Sequence, residues 1–313
     1  MKSPKRAIVV DILARPGERG LALLIVLWII VSASLVVSAF NATVRSSTTF
    51  ASSEVQLARS EALLDAGAEI AVSRLIDDEK GRRWRPDGKS HVVPFEDAEL
   101  IISIRDANAL IDINKADKEL LLRFLRQFAG SESNALRLRD RIMQARGKGA
   151  VEKPADSAHD GEGESTDEPP PAVPFIDIAQ LRGLEGMTVE LYKQLAPFIT
   201  VYGKDGRIGP LSAPDEVLSS IPSITQNDID RLRSSMGTPK ETERAIQDLS
   251  RHVGAYLVDE PGPAYVVSVG VSRSNDKFAS GKVYVVATDI DAEAPYRLIS
   301  KRPLGSAQLS KAR

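Results

Sequence analysis

Glu18-Arg19-Gly20-Leu21 opens directly into LALLIVLWIIVSASLVVSAF, residues 21–40, and no charged side chain follows until Arg45. Serines are the only polar side chains in that run. At about 1.5 Å of rise per residue, some twenty such residues span a bilayer core of about 30 Å as a helix. A secretory signal fits less well. Its apolar region is about 7–15 residues long, with small residues at a cut site beyond it. Phe40-Asn41-Ala42 offers only a weak site of that kind. Lys2, Lys5, Arg6, Arg15 and Arg19 precede the run, and only Arg45 follows closely. The positive-inside rule therefore keeps the N-terminus cytoplasmic and sends everything after about residue 45 across the membrane.

Gly20, just before the run and behind a basic leader, has two readings. It is either an incidental residue at the start of a signal anchor or the cut site of a prepilin-type peptidase. Composition fits the far side of the membrane without demanding it. The chain has no cysteine, which removes disulfides, thiolate nucleophiles and zinc-finger ligand sets. With 41 basic and 43 acidic residues it lacks the basic balance of a general nucleic-acid binder. His91, His159 and His252 stand far apart, so each reads as a surface or packing residue rather than a metal ligand. No nucleophile-and-base set, paired catalytic carboxylates or phosphate loop is present, so no enzyme is expected.

Helical character continues past the membrane. Leu57, Leu64, Ala68, Ala71 and Leu75 recur at helical spacing, with Arg59, Glu61, Asp65, Glu69 and Asp77 between them. Only Gly67 interrupts, and Gly81 to Gly88, with Pro86, ends the helix. The run Glu99 to Arg105 reads as a strand, as do Ala264–Val271, Gly281–Ala287 and, more briefly, Tyr296–Ser300. The polar stretch Ser272 to Ser280 reads as a hairpin loop. These strands predict an antiparallel sheet against the amphipathic half of the long helix.

Between the first strand and the rest lie three variants of one helical theme. The first is Leu110-Ile111-Asp112-Ile113-Asn114-Lys115-Ala116-Asp117, with Asn114 placed as N-cap, then a helix over Lys118–Phe128. The second is Phe175 to Met187, then a helix over Thr188–Leu195. The third runs from Ile208 through Ile221-Pro222-Ser223-Ile224 to a helix over Asn227–Arg233. This is a sterile-alpha-motif-like or helix-hairpin-helix pattern. Such hairpins often hold DNA backbone, which makes a membrane-anchored DNA receptor of the competence type the alternative function. The chemistry requires bare hairpin amides beside basic side chains. Gly183-Leu184-Glu185-Gly186 instead carries a carboxylate, and Pro222 removes an amide hydrogen from the third hairpin. The stripe Arg137, Arg139, Arg141 and Arg146 is read as a solvated helix face, and nucleic acid is not the expected partner.

Residues 147–174, rich in glycine, proline and acid, predict a disordered loop. Asp160, Glu162 and Glu164, with Asp167 and Glu168, are weak candidates for a calcium ion, because their spacing matches no EF-hand.

The chain resembles the K-class minor pseudopilins of the type II secretion system over nearly its whole length. The residues that carry the resemblance are Arg19-Gly20-Leu21-Ala22-Leu23-Leu24, Leu110 to Ala116, Phe175-Ile176-Asp177 and Leu181 to Met187. Leu195 to Thr200, Ala213 to Leu218 and Tyr296 to Ile299 complete it. The resemblance implies cleavage by a prepilin peptidase between Gly20 and Leu21, then N-methylation of Leu21, here in place of the commoner phenylalanine or methionine. Most pilins carry a glutamate at the fifth residue after the cut, where this chain has Ile25. A buried N-terminal ammonium wants a counter-charge. By resemblance, each incoming subunit supplies that glutamate to the subunit above, so its absence fits a place at the filament tip. The family's calcium-binding stretch is replaced here by the loop after Arg141, which leaves no cofactor as the expectation.

The expected protein is α+β. A long transmembrane and amphipathic helix packs on an antiparallel, pilin-like sheet interrupted by a large all-α insertion. The segments are a leader (1–20), a transmembrane helix (21–44), its amphipathic continuation (45–80), and the first part of the sheet (81–107). A helical insertion (108–240), the rest of the sheet (241–303) and a tail (304–313) follow. The implied role is to prime and cap the pseudopilus that exports folded proteins, from an inner-membrane anchor with a periplasmic domain. The implied partners are the I- and J-class minor pseudopilins, the peptidase and, by extension, secreted substrates.

Overall fold

The computed structural model describes residues 18–79, 81–147, 174–272, 280–288 and 295–304. The leader up to residue 17, the acidic loop with Asp160, Glu162 and Glu164, and most of the Ser272–Ser280 loop and the tail lie outside them. Contacts divide the chain into two units, residues 1–61 and 62–313. The described part of the first unit is helix α1, which runs over Glu18–Leu75 and so extends into the second. Within it Leu23–Phe40 is long and apolar enough to cross a membrane, with a mean hydropathy of 2.7 and none of its residues buried. The Ser34 hydroxyl donates to the Ile30 carbonyl at 2.8 Å, which satisfies a polar group inside the apolar run.

The second unit holds a five-stranded antiparallel sheet in the order β1-β2-β5-β6-β7. Its strands are β1 (Asp87–Phe95), β2 (Ala98–Asp106), β5 (Tyr265–Ser272), β6 (Ser280–Ala287) and β7 (Arg297–Pro303). Period-two patterning decides its faces. In β2, Ala98, Leu100, Ile102 and Ile104 are buried while the residues between them are not. Those side chains meet Leu63, Leu64, Ala71, Val72 and Leu75 of α1 and Val267, Val269, Tyr284 and Val286 of the sheet in one core. Each large apolar side chain so buried contributes about 1.5–3 kcal/mol. Gly67 sits where a Cβ would come within 2.5 Å of Val269 Cγ1, so its place in the helix is a matter of close approach. Leu57, expected on this face, is exposed; Leu63 and Val72 are the buried neighbours.

Between β2 and β5 the chain forms β3 (Ile111–Asp112), α2 (Lys118–Arg126), α3 (Glu132–Ala145), α4 (Val189–Leu195), β4 (Ile199–Thr200), α5 (Asp215–Leu218), α6 (Gln226–Ser235) and α7 (Pro239–Val253). Short strands β3 and β4 pair in parallel. A second core gathers Phe124, Leu138, Ile178, Val217, Ile229 and Leu249, among others. Helix starts are fixed by side chains: Ser131 on α3, Thr188 on α4, and a reciprocal Thr225–Asp228 capping box on α6.

Three sequence expectations change. Asp117, not Asn114, caps α2, accepting from the amides of Glu119 and Leu120. Asn114 instead binds both backbone groups of Phe175, 61 positions away. Residues 241–253, expected to begin the sheet, belong to α7, whose Leu249 and Val253 enter the helical core. Thr238 and Pro239 are a helix-start pair that the strand reading passed over. Strand β1 also went unread beyond its inclusion in the sheet segment, because Pro94 weakens its pattern; as an edge strand it tolerates that proline.

Candidate functional site

The first candidate site is the start of α1. Gly20 and Leu21 lie in its first turns, and Ile25 is half exposed. Exposing Leu27, Trp28, Ile29 and Leu35 to water is costly, which makes this segment a candidate membrane anchor. No carboxylate stands at position 25 to answer an N-terminal charge.

The second candidate is the helical part of the second unit, held by two polar knots. In one, Asp112 is buried and its Oδ1 accepts from the amides of Asn114 (2.8 Å) and Lys115 (3.2 Å). Its Oδ2 has no hydrogen-bond partner, the Gly203 backbone lying close by without completing one. Burial pushes the Asp112 carboxyl up, opposed by those amides and the Lys115 charge. Two cations close the knot. Lys115 Nζ donates to the carbonyls of Gly203 (2.6 Å) and Lys204 (3.1 Å). Arg146 donates to those of Ile113 (2.9 Å) and Ala116 (2.8 Å), and burial pushes its guanidinium down. The residues of the LIDINKA segment therefore form a structural joint.

The other knot lies where the chain leaves and rejoins the sheet. Asp106, buried, accepts from the amides of Asn108 (2.7 Å) and Gly262 (2.9 and 3.1 Å). Asn108 accepts in turn from Lys204 N (2.9 Å) and donates to the Glu260 carbonyl (3.3 Å). A Cβ on Gly262 would stand 2.5 Å from Asp106, so the turn admits only glycine without displacement.

Several of the basic side chains near the hairpins are engaged within the chain. Arg141 pairs with Glu185 of the 183–186 hairpin at 2.5 Å, Arg139 pairs with Asp140 at 2.6 Å, and Arg146 is spent on carbonyls. Arg137 of the stripe is exposed. Gly186, at φ +88°, turns the chain back, and Ser223 does so at +67° in the third hairpin. His91 stacks on Trp84 with ring centroids 4.0 Å apart, and His252 Nε2 lies 3.4 Å from Asp228. Among the described residues no three His, Asp or Glu side chains converge on a metal-sized site.

Sequence reasoning found the capped helices and the LIDINKA segment but missed both knots. Their partners (Gly203, Lys204, Gly262, Glu260) lie some 90 to 156 positions from the residues they hold, as the Lys115–Lys204 and Asp106–Gly262 bonds show. Only the local cluster of Asp112, Asn114 and Lys115 was a signal.

Residues 101–204 match the family model described as type II secretion system (T2SS), protein K. No curated protein matches the chain. Among solved structures, it is similar to a chain in the crystal structure of the GspK-GspI-GspJ complex from the enterotoxigenic Escherichia coli type 2 secretion system. That likeness has 13% identity and a TM-score of 0.48, and covers 81% of this chain and 99% of that one. The similarity to type II secretion system protein K thus lies in the segment from β2 to just beyond β4.

Proposed function

We propose that the protein is a minor pseudopilin that, with the I- and J-class minor pseudopilins, primes and caps the pseudopilus tip for export of folded proteins. The match of residues 101–204 to protein K carries this reading. The exposed apolar stretch Leu23–Phe40 supports it, since it suits an inner-membrane anchor with the rest of the chain in the periplasm. A prepilin peptidase cuts between Gly20 and Leu21 and Leu21 is N-methylated; Ile25, where a glutamate would answer the subunit above, suits a tip position. The sheet is the pilin-like part, and the segment between β2 and β5 is its helical insertion. The role is one of assembly, without catalysis. It is tested by the intact mass and N-terminal sequence of membrane-extracted protein, made with and without a prepilin peptidase. A methylated start at Leu21 only with the peptidase, lost in Gly20→Ala, is the expected result. A start near Met1 in both cases would leave a plain anchor and sink the reading.

A further inference from the structure

On the sheet face turned away from α1, one cross-strand row reads Ser90, Ser103, Ser268, Val283 and Arg302, each paired with the next in register. Three serines side by side, with Gly270 in the adjacent row, leave this face low. The helical part does not fill the space above it. A cleft of about 630 Å³ remains, roofed by Phe128, Pro197 and Phe198. The two phenylalanine rings lie 5.6 Å apart and 28° from parallel, giving the roof an apolar, flat surface. The volume falls in the range of about 300–1,000 Å³ typical of ligand pockets.

The charge of the cleft is one-sided. Arg105, Lys193 and Arg302 line it against a single acid, Glu216, although the whole chain carries a net charge of −2. Among the described residues none of the three cations has a carboxylate within ion-pair distance. Arg105 donates to the Ser212 carbonyl at 2.5 Å, and Arg302 lies close to the Tyr192 hydroxyl. The nearest other acids are engaged: Asp87 pairs with Lys89 at 3.3 Å, and Asp177 accepts from the Ala179 amide and the Ser300 hydroxyl. Burial pushes both guanidiniums down, the mark of cations partly stripped of water. Arginine in that setting is matched by a carboxylate held in bidentate fashion.

We propose that this cleft docks an extended acidic peptide segment of another protein. Its carboxylates meet Arg105, Lys193 and Arg302, its backbone runs over the serine floor, and an apolar side chain lies under Phe128 and Phe198. The floor hydroxyls answer peptide polar groups, and the small side chains leave the width an extended chain needs. This role goes beyond assembly with other pseudopilins and does not depend on how α1 is processed.

Because the chain has no cysteine, Gln194→Cys on the cleft rim gives a single attachment point for an environment-sensitive dye. The full chain in detergent micelles would be titrated with a ten-residue peptide alternating glutamate with valine and phenylalanine, and with the same peptide carrying lysine for glutamate. The expected result is saturable binding of the glutamate peptide with Kd of about 10–100 μM, weakening with salt, and none of the lysine peptide. In the same titration Lys193→Glu should weaken binding at least ~5-fold, Glu216→Gln should tighten it ~2–5-fold, and Ser268→Phe should abolish it by filling the floor. Circular dichroism checks that each variant folds, and Glu216→Gln decides if Ser268→Phe does not. Equal binding of both peptides, no binding at millimolar peptide, or an affinity indifferent to Lys193→Glu and Glu216→Gln would overturn the proposal.

Discussion

The layer of α1 on the sheet and the helical part between β2 and β5 are both well packed, yet they are specified by different means. In the first, apolar side chains recur with simple periods along α1, β2, β5 and β6, and one glycine lets helix and strand touch. In the second, apolar side chains fill the core, but its loops are set by buried polar groups reaching across long stretches of chain. Patterned burial tolerates small changes in volume, whereas a buried polar joint fails when one partner is removed.

The largest effect should come where backbone meets backbone. Gly206 has φ +81°, and a Cβ there would lie 2.3 Å from the Lys115 carbonyl oxygen. Gly206→Val should cost about 3 kcal/mol or more, read as loss of the cooperative thermal transition or a fall in Tm. Arg146→Met comes next. It leaves the Ile113 and Ala116 carbonyls without their cation, for a loss of about 2–4 kcal/mol in denaturant unfolding. A loss under half a kcal/mol would mean that the knot is not what holds the helical part.

Gly67→Val tests the other region. Overlap with the stiff, buried Val269 should cost about 1–3 kcal/mol, and Val269→Ala should restore part of it in the double variant. Rescue there with none at Gly206 would sharpen the contrast between side-chain and backbone contacts.

The smallest effect is one of pH. Burial raises the folded-state pKa of Asp112 above its unfolded value, so the unfolded chain releases this proton first as pH rises. Asp112 therefore contributes best below about pH 4, and its contribution falls as pH climbs through the raised pKa. Asp112→Asn should remove that slope, so stability relative to the parent should shift in the mutant's favour from pH 4 toward neutrality. An unchanged slope in urea titrations across this range would show that Asp112 is not the titrating group.

Legibility followed the same division. Strands β2, β5 and β6 could be read because their apolar residues are dense and β-branched, and α1 because its apolar run is unbroken. The β1–β2 hairpin could not: its turn rests on Glu96 at φ +54°, a residue type that gives no turn signal. Asn114 and Asp117 are both cap residues, and the choice between them was made by Phe175, far along the chain. The cleft was invisible to sequence because it depends on register, which alone aligns Ser90, Ser103 and Ser268. The Gly20–Leu21 junction was the clearest sequence signal of all, and its test is chemical rather than structural.

The Asp106–Gly262 clasp bears on the order in which the chain folds. Strands β2 and β5 are neighbours in the sheet, with Asp106 paired to Tyr265, yet the groups of the clasp are 156 positions apart. Closing a flexible loop of that size costs about 4–5 kcal/mol of chain entropy. A helical part that is already folded brings the two ends together and removes most of that cost. The central strand pair should therefore be among the last hydrogen bonds to gain protection in pulsed hydrogen exchange, although it lies at the middle of the sheet.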